Sequence, residues 1–149
     1  MYLTTPYLII SDEMQRALVL AAGRGVDVRI ITPGVPDKAI VYRITRSNYH
    51  DLLKGGVRIF EYVPGFIHAK NFVSDDEIAV VGTVNMDFRS LYLHFECGAV
   101  LYQTGTVADV KADFEETLFS AREVYPEDMR RGFFSGILDA LLRLLSPLV

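Results

Sequence analysis

His68, Lys70, Asp75, Thr83 and Asn85 fall within one largely apolar stretch, FIHAKNFVSDDEIAVVGTVNMDFRSLYLHFE, which runs from Phe66 to Glu96. A neutral imidazole is a competent nucleophile near pH 7, because its unperturbed pKa is about 6.5. Lys70 adds a positive charge two residues on, and on a strand that interval sends both side chains to the same face. Thr83, Asn85 and nearby backbone N–H groups offer hydrogen bonds to the same anion. A nucleophile beside a cation and several donors suits attack on a phosphodiester, where oxygen charge shifts as one bond replaces another. Losing one such donor raises a barrier by roughly 3–4 kcal/mol. No carboxylate or cysteine cluster at ligand spacing accompanies these groups, so the chemistry calls for no metal and no cofactor.

The residues around them predict the frame. Phe66, Ile67, Phe72 and Val73 are strand formers, so a strand is expected to carry His68 and Lys70. Asp75-Asp76 reads as a tight turn and Ile78 to Val81 as the return strand of a hairpin. Gly82-Thr83-Val84-Asn85 then places small and amide-bearing groups at the strand end. A lone histidine on an apolar strand is usually structural, but His68 keeps company that chance explains poorly. On physical grounds Asp75 reads equally well as a turn residue and as part of the site. Glu96 stands in an apolar run, where a buried carboxylate needs a partner and an edge-exposed one does not.

The arrangement His68-x-Lys70, four residues, Asp75, six residues, Gly82-Thr83-x-Asn85 resembles the HKD motif of the phospholipase D superfamily. Threonine replaces the usual serine at position 83 and keeps the hydroxyl. The segments PGFIHAK, DDEIAVVGTVNMDFRSLYLHFE and the terminal LLSPLV are similar to bacterial cardiolipin synthases, specifically to their C-terminal HKD half. The resemblance implies a phospholipase D-like α/β half-fold, a mixed and mostly β sheet flanked by helices in α-β-α layers. It implies catalysis by His68, Lys70 and Asp75 through a phosphohistidine, with Thr83 and Asn85 binding substrate. Asp75 serves either directly or by holding the hairpin. Glu96 is implied to orient the nucleophilic imidazole and fix its tautomer. His94 shares a face with Glu96, and Tyr7 matches a recurring segment; neither is assigned a role.

The chain has 149 residues, enough for one domain with a real core, expected over 1–130, followed by a C-terminal amphipathic segment over 131–149. Hydrophobic residues make up 50% and the mean hydropathy is +0.23, an excess that predicts burial against something outside the chain. A net charge of −4 argues against a nucleic-acid partner, since such domains are usually basic. The single cysteine, Cys97, excludes an intrachain disulfide, fits a reducing compartment and is expected to be buried and inert. The N-terminus lacks the pattern of a signal peptide, and no run of about 20 apolar residues spans a bilayer. These features suggest a fragment or truncated product rather than a complete membrane enzyme.

In chain order, Tyr2–Thr5 reads as a strand and Ser11 as the N-cap of a helix that stops at Gly25. Val26–Ile31 follows as a buried strand, and strand–helix–strand suggests a parallel pair with a crossover. Residues 37–53 read as a helix interrupted near Ser47-Asn48, and Val57–Tyr62 as the next strand. Beyond the hairpin come a loop with a helical turn (85–92), a strand (95–102), and a long helix capped by Thr106. Its apolar face is Val107, Val110, Phe114, Leu118 and Ala121, and its acidic face a solvated surface. In the tail, the stripe Arg131, Ser135, Asp139 and Arg143 leaves the rest apolar. It either docks on protein or lies in a membrane interface.

The family mechanism uses two HKD halves, each contributing one histidine, so the partner implied is a second half, either another copy or a missing upstream half. The resemblance implies transfer between two phosphatidylglycerol molecules at an anionic phospholipid membrane, with this chain peripheral to the bacterial cell membrane. Two other readings stand beside it: a homodimeric single-HKD phosphodiesterase or nuclease, and an inactive membrane-associated fragment.

Overall fold

The computed structural model describes residues 1–129 together with Leu141 and Leu142. Otherwise the segment 131–149 lies outside the described residues, as does its expected amphipathic helix. Nearly every inward-facing position of the central strands carries a β-branched or aromatic side chain, and these strands form the middle of one sheet. Strand β1 (Tyr2–Thr4) runs parallel to β3 (Arg29–Pro33), and β3 runs parallel to β4 (Arg58–Tyr62). The pairs Ile30↔Ile59 and Ile31↔Phe60 face opposite ways, as successive strand residues must. All four are buried, because helices cover both faces.

One face packs against α1 (Asp12–Gly23) and α2 (Ala39–Lys54), through Leu18, Tyr49 and Leu52 on Ile30 and Ile59. The other face receives α3 (Gly105–Phe119), where Phe114 meets Ile31 and Phe60 and stacks on Tyr2 at 4.8 Å. The result is the expected α-β-α layering, with the expected parallel crossover from β1 to β3 and a second from β3 to β4. Antiparallel strands extend the sheet on both sides. β5 (Asn71–Ser74), β6 (Ile78–Gly82) and β8 (Gly98–Tyr102) follow β1, while β9 (Ala121–Val124) lies beside β4. A small parallel pair, β2 (Leu8–Ile9) with β7 (Met86–Asp87), stands apart.

Ser11 caps α1 as expected, accepting a hydrogen bond from the Met14 N–H. Several expectations need correction. Helix α2 runs unbroken through Ser47 and Asn48, both buried. The Ser47 hydroxyl donates back to the Ile44 carbonyl, and the Asn48 amide donates to Leu8 and Ile44. These polar groups are satisfied inside the fold, so they do not break the helix. Thr106 lies within α3, whose N-cap is Thr104. Ala121 belongs to β9 rather than to that helix, and Arg58 holds Glu123 of the same strand through two hydrogen bonds. Cys97 is exposed, because β8 is the edge of the sheet.

That edge is apolar as well as open. Val100 and Tyr102 on β8, Phe95 before it, and nearby Tyr92, Leu93 and Val81 are all exposed. At the opposite side the sheet buries a carboxylate. Glu61 on β4 pairs with the Arg46 charge at 3.1 Å and accepts hydrogen bonds from Arg122 at 3.1 Å and the Tyr42 hydroxyl at 3.2 Å. Removing one member of such a buried set strands the others, which typically costs about 3–5 kcal/mol. Glu61→Ala is therefore expected to lower the unfolding free energy by about that amount in urea titration. A change below about 1 kcal/mol would show that solvent replaces the carboxylate.

Candidate active site around His68

Topology gathers the site before any side chain does. Asn71, at the start of β5, pairs with Thr4, at the end of β1, and also with Val81 near the end of β6. Gly82 pairs in turn with Gly98. The segments holding His68–Lys70, Thr83–Asn85 and Glu96–Cys97 therefore emerge together at the carboxyl end of the parallel strands. Ligands of open α/β sheets characteristically bind outside this end.

Residues 66–70 are not strand. They form the run-in to β5, which begins at Asn71. The two motif side chains also differ in environment. His68 is exposed, with its ring edge-on to Phe66 at 5.5 Å, and Phe66 in turn lies 6.2 Å from Tyr7. Lys70 is only 8% exposed, and its Nζ donates to the His68 carbonyl at 2.6 Å. The ammonium thus fastens the backbone that carries the imidazole.

Partial desolvation of the His68 ring, followed by the Lys70 charge, pulls its pKa below the ordinary histidine value, while Asp37 opposes them. Burial likewise lowers Lys70, against the pull of Glu96 and Asp87. The first shift favours a neutral, nucleophilic imidazole at neutral pH.

Thr83 is a clasp. Its hydroxyl donates to Glu96, lies 3.3 Å from the Cys97 carbonyl and accepts the Cys97 N–H at 3.0 Å. Its own N–H donates to the Cys97 carbonyl at 2.9 Å. A single hydroxyl proton serves one acceptor at a time, so Thr83 holds Glu96 against the strand end in this state. Gly82 beside it has no room for a side chain, since a Cβ would fall 2.4 Å from the Cys97 carbonyl oxygen.

Glu96 is kept ionised below the usual carboxylate range by the Thr83 hydrogen bond and then by Ser90. Among the described residues its partners are these two hydroxyls rather than the His68 ring. Asn85 is half-buried, and its Oδ1 is buried with no hydrogen-bond partner among the described residues. The residue also lines a cavity of about 400 Å³, together with Tyr7, Lys38, Arg89 and His94.

Asp75 is not brought to the site. It sits at the far end of β5, about 16 Å from Lys70 at strand spacing. Asp75 and Asp76 have φ of 54° and 60°, and the Glu77 N–H closes on the Ser74 carbonyl at 3.1 Å, as in a type I′ turn. The Ser74 hydroxyl holds Asp75, and Lys111 holds Asp76. Asp75 thus shapes the hairpin. Asp75→Gly is expected to leave turnover within a few-fold of wild type. Asp75→Val is expected to cost about 1–2 kcal/mol in urea titration, since a β-branched side chain resists left-handed backbone.

Four residues around the cavity escaped the sequence reading. Asp37 accepts the Tyr7 hydroxyl at 2.6 Å, and buried Asp87 accepts the Ser90 N–H at 2.7 Å. Lys38 and Arg89 complete the group. No spacing rule links positions 7, 37 and 89. Only the sheet's connectivity does.

A model of the family described as "Cardiolipin synthase, PLD-like domain" matches residues 1–118. A cardiolipin synthase of Halalkalibacterium halodurans is 42% identical over 99% of this chain, which spans 30% of that protein's length. Among solved structures, the phospholipase D family member Nuc from Salmonella typhimurium superposes with a TM-score of 0.70 at 17% identity, covering 83% of this chain and 80% of that one. A phosphatidylserine synthase from Haemophilus influenzae superposes with a TM-score of 0.74 at 15% identity, covering 99% and 41%. Fold, motif and family match converge, and the chain belongs to the phospholipase D-like domain family of the cardiolipin synthases.

Proposed function

We propose that this chain supplies one catalytic half of a phosphatidyltransferase that joins two phosphatidylglycerol molecules into cardiolipin and releases glycerol. One observation carries the reading: an exposed imidazole, a buried ammonium and an unpaired amide oxygen meet at one end of the sheet, in a chain of this family. A ring nitrogen of His68 bonds to phosphorus while the phosphorus–oxygen bond to glycerol breaks. An imidazolium from a second half gives the departing oxygen its proton. That imidazole, now neutral, takes the proton of a second phosphatidylglycerol hydroxyl. The hydroxyl's oxygen displaces His68 and closes the new diester.

Lys70 and the Asn85 amide hold the phosphoryl oxygens as their charge redistributes. Glu96, fixed by Thr83 and Ser90, orients an imidazole once the two halves meet. A second lysine from the partner half steadies the diester further, since a charge pair at 4 Å contributes about 4 kcal/mol at an effective dielectric of 20.

The second half is another copy of this chain or a second phospholipase D-like unit. The apolar edge near Phe95 and the 30% share of the relative's length both support an incomplete site. We place the protein at the surface of the bacterial membrane, where its lipid substrates lie. No helix among the described residues is long and apolar enough to cross one.

The test measures mass in solution and then products from phosphatidylglycerol vesicles and from single-stranded DNA, with His68→Ala as control. Cardiolipin that disappears in the variant supports the proposal. DNA cleavage points instead to a homodimeric phosphodiesterase, and a monomer inert on both substrates to an inactive fragment.

A further inference from the structure

The reaction proposed above brings two phosphodiester anions to one place, and Lys70 with Asn85 accounts for only one of them. Released glycerol is neutral, and so is water as a competing acceptor. An acceptor phosphatidylglycerol differs from both because it carries its own negative phosphate a short glycerol arm away from the attacking hydroxyl. A site that favours transfer over hydrolysis needs positive charge at that remove from the phosphorus under attack.

The cavity beside Asn85 holds two such charges next to a motif residue. Its volume of about 400 Å³ lies within the usual range for a small-molecule site. Lys38, at the start of α2, and Arg89, after β7, both line it, and among the described residues neither forms an ion pair. The nearby carboxylates are already engaged, Asp87 with the Ser90 N–H and Asp37 with the Tyr7 hydroxyl. Burial and then Asp37 push the Tyr7 phenol up to about 12, so it remains a protonated donor to that carboxylate. Its oxygen is left to accept from a polyol. Asn85, a member of the motif, lines the same cavity and so joins it to the reaction centre.

Resting on the phosphatidyltransfer reading, we propose that this cavity is the acceptor subsite: Lys38 and Arg89 bind the phosphate of the incoming phosphatidylglycerol headgroup, and Tyr7 receives a glycerol hydroxyl. Asn85 then borders both substrates, since it belongs to the motif and lines this cavity. The pair Lys38 and Arg89 sets the choice between a lipid acceptor and water.

Two measurements test this on the wild-type chain, Lys38→Ala/Arg89→Ala and the charge-keeping Lys38→Arg. The first is calorimetric binding of glycerophosphoglycerol, the deacylated headgroup, with inorganic phosphate as the comparison ligand. The double variant is expected to bind glycerophosphoglycerol at least 10-fold more weakly, and Lys38→Arg to stay near wild type. Equal binding in all three overturns the proposal, as does inorganic phosphate binding as tightly as the headgroup. The second is the ratio of cardiolipin to phosphatidic acid formed from phosphatidylglycerol vesicles, expected to fall about 10-fold in the double variant. A variant that makes both lipids in the wild-type ratio defeats the acceptor assignment and leaves the phosphatidyltransfer reading standing. If the wild type makes neither lipid but headgroup binding still depends on Lys38 and Arg89, the subsite stands and the transfer reading falls.

Discussion

His68→Ala is expected to lower phosphatidyl transfer by at least about 10⁴-fold, because it removes the group that forms the covalent intermediate. The fold should survive. His68 is exposed and lies outside the strands, in the run-in to β5, so the variant should unfold within about 0.5 kcal/mol of wild type. The decisive readout is single-turnover release of glycerol from phosphatidylglycerol vesicles, paired with a search for an acid-labile phosphoprotein. A variant that keeps more than a few per cent of turnover, or still accumulates the phosphoprotein, would transfer the nucleophile's role elsewhere, with His94 the first candidate by position.

Lys70→Met is expected to produce the second-largest loss, about 10²–10³-fold in kcat, the usual cost of losing a preorganised charge on a developing oxyanion. Its pH signature separates an electrostatic role from a merely structural one. Nucleophilic attack requires the neutral imidazole, so activity rises with pH through the His68 pKa. In the wild type, burial and the Lys70 charge hold that pKa below the ordinary value of about 6.5, and the acidic limb of the rate profile lies correspondingly low. Removing the ammonium takes away the second cause, so the limb should move upward. A limb that stays in place would mean that Lys70 acts only by tethering the His68 carbonyl. Methionine fills the same buried space without a charge to desolvate, so stability should hold within about 1 kcal/mol.

What could be read from the residues alone was whatever depends on local chemistry. Alternation and β-branching located β1, β3, β4 and the hairpin, and the parallel crossover followed from their order. Ser11 announced its helix by its capping chemistry. The errors share a cause. Ser47 and Asn48 look like helix breakers until Leu8 arrives from forty residues away to accept the amide. Cys97 looks buried until the sheet order puts β8 at an edge. Thr83 reads as a free donor, although Glu96 and Cys97 have its hydroxyl in hand. The motif marked where chemistry gathers, but Asp37, Lys38 and Arg89 join it through tertiary contacts that leave no trace in spacing.

The β8 edge has a consequence for how such a protein is made. A strand with unpaired backbone groups and greasy side chains is a template for any similar strand nearby, including one on another nascent chain. When two such units share a polypeptide, the tether gives each a millimolar local dose of the other, and the right union outruns the wrong ones. Untethered, the same unit depends on its own abundance. Dilution leaves it open, and crowding during synthesis invites clumping, so slow production at low temperature should raise the soluble yield more than any single core substitution.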